Sequence, residues 1–270
     1  MKFIQRGYRF INLLSVDVAV GAAIGAAFFA HVLSVDLFTQ AYIVLGLTVW
    51  IIYTSDHLLD AWFLDKPAST PRHLLHQRHF RLLTIMVAIA LLADVGLVLL
   101  IRRQLMVPGI VMSLMCAAYL ILNRWLRYVK EVVGTLLYSA GVMLPGIALS
   151  PAITTDQKLL IVQFVLIVFI NMLLFARMSY ATDLSDRQNS LFTTLGPRAG
   201  DWLIAGSFAV LGIVMLLPSA TDVWIKAVMA MMALTLLVIF LFPAFFRSEE
   251  RYRLLGDSIF LLPVLVLIFR

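Results

Sequence analysis

Charge is what this sequence has least of. Asp, Glu, Lys and Arg make up only 13% of its 270 residues, against 62% hydrophobic residues and a mean hydropathy of +0.98. No soluble domain of this length could keep so much apolar surface from water, so the soluble enzyme and binding-module classes are excluded. Cysteine is almost missing as well. The single Cys116 falls inside an apolar run and excludes an internal disulfide framework. Long polar stretches are also lacking, so no segment between the apolar runs can hold a second domain. The sequence pI is near 9.7, yet no arm or domain concentrates the basic residues, and a nucleic-acid partner is excluded.

What is present is a series of apolar runs. A helix needs roughly 20 residues to cross a hydrocarbon core. On that measure the spans fall near 10–33, 40–64, 80–101, 105–123, 131–150, 157–180, 201–217, 222–246 and 254–269. The expected fold is all-α: a polytopic membrane bundle of nine transmembrane helices around a central cavity, forming one domain over residues 1–270. Lys2, Arg6 and Arg9 ahead of the first run imitate a secretory signal. That run is longer than a signal core of about 7–15 residues, however, and further spans follow, so it reads as a retained anchor. Gly21 and Gly25 form a small-xxx-small pair suited to close helix approach.

Threading the spans alternately puts 16 of the 21 Lys and Arg residues on the side of the N-terminus. By the positive-inside rule that side is cytoplasmic, and the expected location is a bacterial inner (plasma) membrane.

Two acidic stretches share the cytoplasmic side. "YTSDHLLD" closes span 2 with Asp56 and Asp60 one helical turn apart and Tyr53 one turn earlier. "SYATDLSDRQNS" follows span 6 with Asp183 and Asp186 at i and i+3, beside Tyr180. A lone Asp at a helix end is ordinarily an interfacial residue reaching water. Two pairs at matching ends favour a functional reading, because facing patches of hard oxygen suit Mg²⁺, which completes its shell with water and substrate phosphate. The repeated placement also hints at a duplication of spans 1–4 in spans 5–8.

Other polar groups carry less. In "PRHLLHQRHFR", His73, His76 and His79 recur every three residues near Asp56, His57 and Asp60, so a Zn or Fe site is conceivable. The interleaved Arg72, Arg78 and Arg81 would repel a cation, and a basic loop touching lipid headgroups or substrate phosphate is the better reading. Glu131, beside Lys130 at the start of span 5, is either a base or an acid stabilised by the helix dipole, the simpler account. Asp17 and Asp94 are the notable charges inside spans.

Nine helices with an aspartate-rich motif after the second and another after the sixth resemble the UbiA superfamily of intramembrane prenyltransferases. The family's first motif, N-D-x-x-D-x-x-x-D, is matched at Asp56 and Asp60, with Ile52 and Tyr53 at its first two positions. Its second, D-x-x-D-x-x-x-D, is matched at Asp183 and Asp186, with Ser190 at the last position, and the following "LFTTLG" is similar to the family's Thr-Leu run. The resemblance implies Mg²⁺-dependent transfer of an isoprenyl group from a polyprenyl diphosphate to an aromatic or other lipophilic acceptor. Asp56, Asp60, Asp183 and Asp186 would be the metal ligands, with Lys130 beside them in the catalytic set. Departure of diphosphate needs positive charge on its oxygens. Lys66, Arg72, Arg127 and Arg187 are the candidates to supply it. An allylic cation needs a dry cavity with aromatic walls, for which Trp50, Tyr53, Tyr138 and Tyr180 are the candidates. Two alternatives share the scaffold: a membrane terpene cyclase, and a non-catalytic or transport protein, the latter disfavoured by the scarcity of charge within the spans.

Overall fold

The computed structural model describes residues 2–64, 66–122, 125–126, 129–186 and 188–269, with side chains from residue 7 onward. Regular structure among them is entirely helical. In chain order the helices are α1 (Lys2–Leu13), α2 (Val16–Val32), α3 (Thr39–Trp62), α4 (Pro71–Arg78), α5 (Phe80–Val98), α6 (Arg103–Leu122) and α7 (Lys130–Leu149). There follow α8 (Thr155–Ser185), α9 (Leu191–Leu195), α10 (Pro197–Leu216), α11 (Val223–Leu241), α12 (Pro243–Arg247), α13 (Arg251–Ser258) and α14 (Val264–Phe269), with 3₁₀ turns at Ser248–Glu250 and Ile259–Leu261. Among the described residues, eight segments are long and apolar enough to cross a membrane, or nine if the bent pair Gly7–Leu13 and Val16–Val32 is one span.

That bent pair corrects the first expected span. Residues 10–33 do not form a straight helix: the chain turns by 79° between α1 and α2. Ser15 sits in the left-handed region with φ 56°. The cause is local polarity. Asn12, Ser15 and Asp17 would be costly in hydrocarbon, and all three are instead buried in the protein. The indole N–H of Trp50 donates to the Leu14 carbonyl at 3.0 Å, satisfying an acceptor released where α1 ends.

The core is organised by α8, which is apolar all round and therefore buried on most faces. Ile167, Ile170, Leu173 and Leu174 are fully enclosed. Its start is fixed by a capping box between Thr154 and Gln157, and its end, Ser185, lies beyond the expected residue 180. By contrast α5 and α6 turn large side chains outward, Leu92 of α5 being 75% and Leu114 of α6 65% exposed, as lipid-facing helices do. The pair Gly21 and Gly25 permits the approach of two different neighbours. A Cβ on Gly21 would fall 2.9 Å from that of Phe260, and one on Gly25 2.8 Å from Val142 Cγ1.

Pro243 cannot donate to α11, so that helix stops at Leu241 and the expected span 222–246 is divided. Beyond it α13 packs beside α1 and against α8 near Asn171–Ser179, at the end of the bundle that also carries α4 and α9.

Candidate active site

Helix α3 continues to Trp62, so Asp56 and Asp60 stand one above the other on its last two turns. Asp56 and Lys130 lie at the head of a cavity of about 210 Å³ between α3, α6 and α7. Its wall is apolar and aromatic, with Tyr53, Tyr119 and Tyr138 nearest the head and Met112 and Leu45 deeper. The rings of Tyr53 and Tyr138 meet edge to face at 6.5 Å, and Tyr138 meets Phe260 at 5.3 Å. A second cavity of about 470 Å³ shares Leu45, Thr48, Met112, Ser113 and Gly141 with the first and continues between α5 and α6.

Charged groups from four helices converge at the head. Asp60 and Asp56 of α3 act most strongly on Lys130, and Arg253 of α13 and Lys130 are the cations that act on Asp183 of α8. Asp183 is also hydrogen-bonded to Ser190. Ser190 holds the place where the second motif would carry its last Asp, and here it is the N-cap of α9, paired with Thr193.

The second acidic pair does not stay together. Helix α8 ends at Ser185, so Asp186 is the C-cap residue and leaves the face that carries Asp183. Asp186 accepts the Ser69 hydroxyl at 2.7 Å and the Ser69 N–H at 3.3 Å, and pairs with Lys66 at 3.2 Å. Burial opposes its ionisation, but these hydrogen bonds outweigh burial and hold its carboxyl below the usual range. Lys66 also donates to the Ser185 carbonyl at 2.8 Å. Lys66 and Asp186 thus latch the segment between α3 and α4 to the end of α8.

Arg72 is likewise committed elsewhere. Only 4% exposed, it donates to the Asn12 carbonyl and side-chain oxygen, both at 3.0 Å, and pairs with Asp257 at 3.4 Å. Asn12 closes the network by donating to Asp17 at 2.6 Å and Asp257 at 2.8 Å. Trp50 is tied to Leu14, and Tyr180 packs against the core; neither lines the cavity headed by Asp56. Arg127 and Arg187 lie outside the described residues.

No protein-family model matches the sequence, and no curated protein is similar to it in sequence. The likeness is three-dimensional. A UbiA homolog from Aeropyrum pernix K1 superposes with a TM-score of 0.67 at 14% identity, over 94% of this chain and 98% of that one. The chain has the UbiA fold. A UbiA homolog from Archaeoglobus fulgidus bound to GPP and Mg²⁺ gives 0.63 at 12% identity over 95% and 98% of the two chains. A digeranylgeranylglyceryl phosphate synthase gives 0.58 at 14% over 98% of each.

On this UbiA scaffold two residues near the head, Arg253 and Tyr119, belonged to no motif in the sequence. Arg253 donates to Ser179 Oγ at 3.3 Å and to the Tyr252 hydroxyl at 3.2 Å. Its only signal was a cation entering the apolar final segment with Asp257 four residues on. Tyr119 lies in span 4, which offered no motif. Glu131 Oε1 accepts the Leu191 N–H at 2.9 Å, tying α7 to the first turn of α9. The histidines are drawn inward: burial, then Arg253, pushes His73 down to about 4 against the opposing pull of Asp56, and burial lowers His76. Around the head, Asp56, Asp60 and Asp183 face Lys130 and Arg253. Their carboxylates offer hard oxygen, a donor set that fits Mg²⁺.

Proposed function

We propose that the protein is an intramembrane prenyltransferase that moves an isoprenyl group from an isoprenyl diphosphate to a lipophilic acceptor, with Mg²⁺. The observation that carries this reading is the placement of Asp56 and Lys130 at the mouth of an aromatic-walled apolar cavity. A diphosphate fits the charged head and a hydrocarbon chain fits the cavity. The two connected cavities together fall within the range of ligand pockets, about 300–1,000 Å³. The Archaeoglobus protein of the same fold was bound to GPP and Mg²⁺.

Asp56, Asp60 and Asp183 would hold the metal, which when bound neutralises diphosphate oxygens and so favours departure of the leaving group. Lys130 and Arg253 donate to the same oxygens and stabilise the charge that grows there as the allylic C–O bond breaks. The electron pair leaves with diphosphate. Tyr53 and Tyr138 present ring faces and edges to the allylic carbon, and the apolar wall keeps out water that would capture it. The acceptor then forms the new bond and gives up a proton.

The test is release of diphosphate from an isoprenyl diphosphate by the purified protein with Mg²⁺. Asp56→Asn is expected to abolish it, since a neutral amide keeps the shape but loses the charge a hard cation needs. Release that persists in this variant sinks the reading. A terpene cyclase is the second reading, favoured by Asp94: its Oδ2 accepts from Thr48 at 2.8 Å, while its buried Oδ1 has no partner among the described residues and the residue lines the second cavity. A carboxylate there is placed to take a proton from a cation formed within the chain. Labelled diphosphate supplied without acceptor gives hydrocarbon products in that case and none for a transferase.

A further inference from the structure

Three imidazoles meet beside the carboxylates, and the transferase chemistry uses none of them. His57 follows Asp56 on α3, while His73 and His76 come from α4, which packs across the end of α3. The His57 ring lies 5.6 Å from that of His73 and 5.2 Å from that of His76. His57 is 8% exposed and His76 is fully buried. Nδ1 of His57, Nδ1 of His73 and Nε2 of His76 are enclosed with no hydrogen-bond partner among the described residues. Burying a polar nitrogen unpaired is unfavourable, and three in one ring cluster call for a common explanation.

The geometry supplies a partial one: it brings His57 and His73 to Asp60, His73 through Nε2 rather than its enclosed Nδ1, and leaves His76 outside the set. One ligand atom from each of His57, Asp60 and His73 lies within 4.8 Å of the others, and His73 Nε2 is 3.7 Å from Asp60 Oδ2. Ligands about 2.0–2.2 Å from a shared ion need only small side-chain shifts to close such a set. The donor chemistry selects the ion. Mg²⁺ takes oxygen ligands, whereas two imidazoles and a carboxylate suit zinc and its first-row neighbours. Three protein ligands also leave a position open for water or a phosphate oxygen. Two cations lie near the set: Arg72, 3.5 Å from His57 Nε2, has its charge met by Asp257 and its guanidinium held by Asn12, and Arg253, which acts on His73, donates to Ser179 and Tyr252.

We propose that His57, Asp60 and His73 bind a first-row transition-metal ion of the zinc class, with the Asp60 carboxylate shared between this ion and the oxygen set it forms with Asp56 and Asp183. From the sequence such a site is disfavoured by the interleaved Arg72, Arg78 and Arg81; in the fold Arg72 is taken up by Asp257 and Asn12, while His57 joins from α3 and His79 is exposed. The ion serves the same site as the proposed transfer, but its binding is read on the substrate-free protein, so the two stand or fall separately.

The experiment is a Zn²⁺ titration of the full-length protein, stripped by chelator in detergent, in the presence of excess Mg²⁺, with metal content and the zinc X-ray absorption edge as readouts. One zinc per chain is expected, with two imidazoles in its first shell. His57→Gln and His73→Gln should each weaken binding by more than about 100-fold, beyond the 10–100-fold typical of an outer-shell partner. His79→Gln should bind as the parent does. Should His57→Gln fail to fold, His73→Gln and the partly exposed Asp60→Asn carry the test. Substoichiometric zinc in the parent, displacement by Mg²⁺ at comparable concentration, or affinity retained within about twofold in the folded variants would overturn the proposal.

Discussion

Asp183 and Asp186 sit three residues apart and do different things, because α8 ends between them. Under the proposed transfer the first would serve diphosphate binding, while the second holds the segment between α3 and α4 to the end of α8. Asp183→Asn is therefore expected to remove Mg²⁺-dependent diphosphate binding at an unchanged melting temperature. Asp186→Ala should remove the hydrogen bonds its carboxylate accepts from the exposed Ser69 and cost about 0.5–1.5 kcal/mol, whereas Lys66→Ala, losing a pair whose cation is 53% exposed, should cost less, under about 1 kcal/mol. Thermal unfolding in detergent and equilibrium diphosphate binding separate the three; a reversal of the two Asp phenotypes would dismiss the assignment. His73 gives a pH signature. Its imidazole is held near 4 in the folded protein against an ordinary value of 6.5, so between those values the unfolded chain binds more protons. Stability must then fall as pH drops from about 6.5 toward 4, and His73→Gln should flatten that slope in melting curves taken across the window.

At the scale of elements, α13 delivers Arg253 to Asp183 only because Gly256 lets it lie close on α8. A Cβ at that position would come 2.6 Å from the Phe175 ring and 2.7 Å from Asn171 Oδ1. Gly256→Val should push α13 outward, destabilise by roughly 1–3 kcal/mol and weaken diphosphate binding together; a variant that loses stability while binding diphosphate as the parent does would detach Arg253 from the site. Such dependence explains what could be read beforehand. The apolar runs and the Asp56–Asp60 spacing are local properties and were legible. The bend at Leu14–Ser15 was not, since it answers to polar partners on α4 and α13. The split of Asp183 from Asp186 was hidden because helical spacing assumes a helix that continues, and here the cap comes first. Arg72, expected to hold diphosphate, meets Asp257 and Asn12 instead, while Arg253, for which the sequence carried no expectation, acts on Asp183; no pattern within α4 or α13 distinguishes them.

Over the whole molecule the acids, α4, α9 and α13 gather at one end. The other end is closed by Ala220 N–H donating to Asp156 at 3.2 Å and Gln157 to the Val32 carbonyl at 2.9 Å. With the positive-inside bias, the acid end should face the cytoplasm. Single cysteines at Lys66 and Arg251 in a Cys116→Ser background are expected to react only from inside, and cysteines at Lys158 and Thr221 only from outside; labelling of position 66 from outside would refute the orientation. The turned helix α1 has a practical side. Asn12 at its end touches Arg72, Asp17 and Asp257 at once, so a purification tag or fluorescent reporter fused ahead of it would tug on the amide that seats α4 over the charged head. The last two described residues, Ile268 and Phe269, are 67% and 70% exposed, and a handle attached beyond them strains nothing in that network. A preparation tagged at the wrong terminus would behave as an inactive protein while its sequence, its acids and its cavity were all intact.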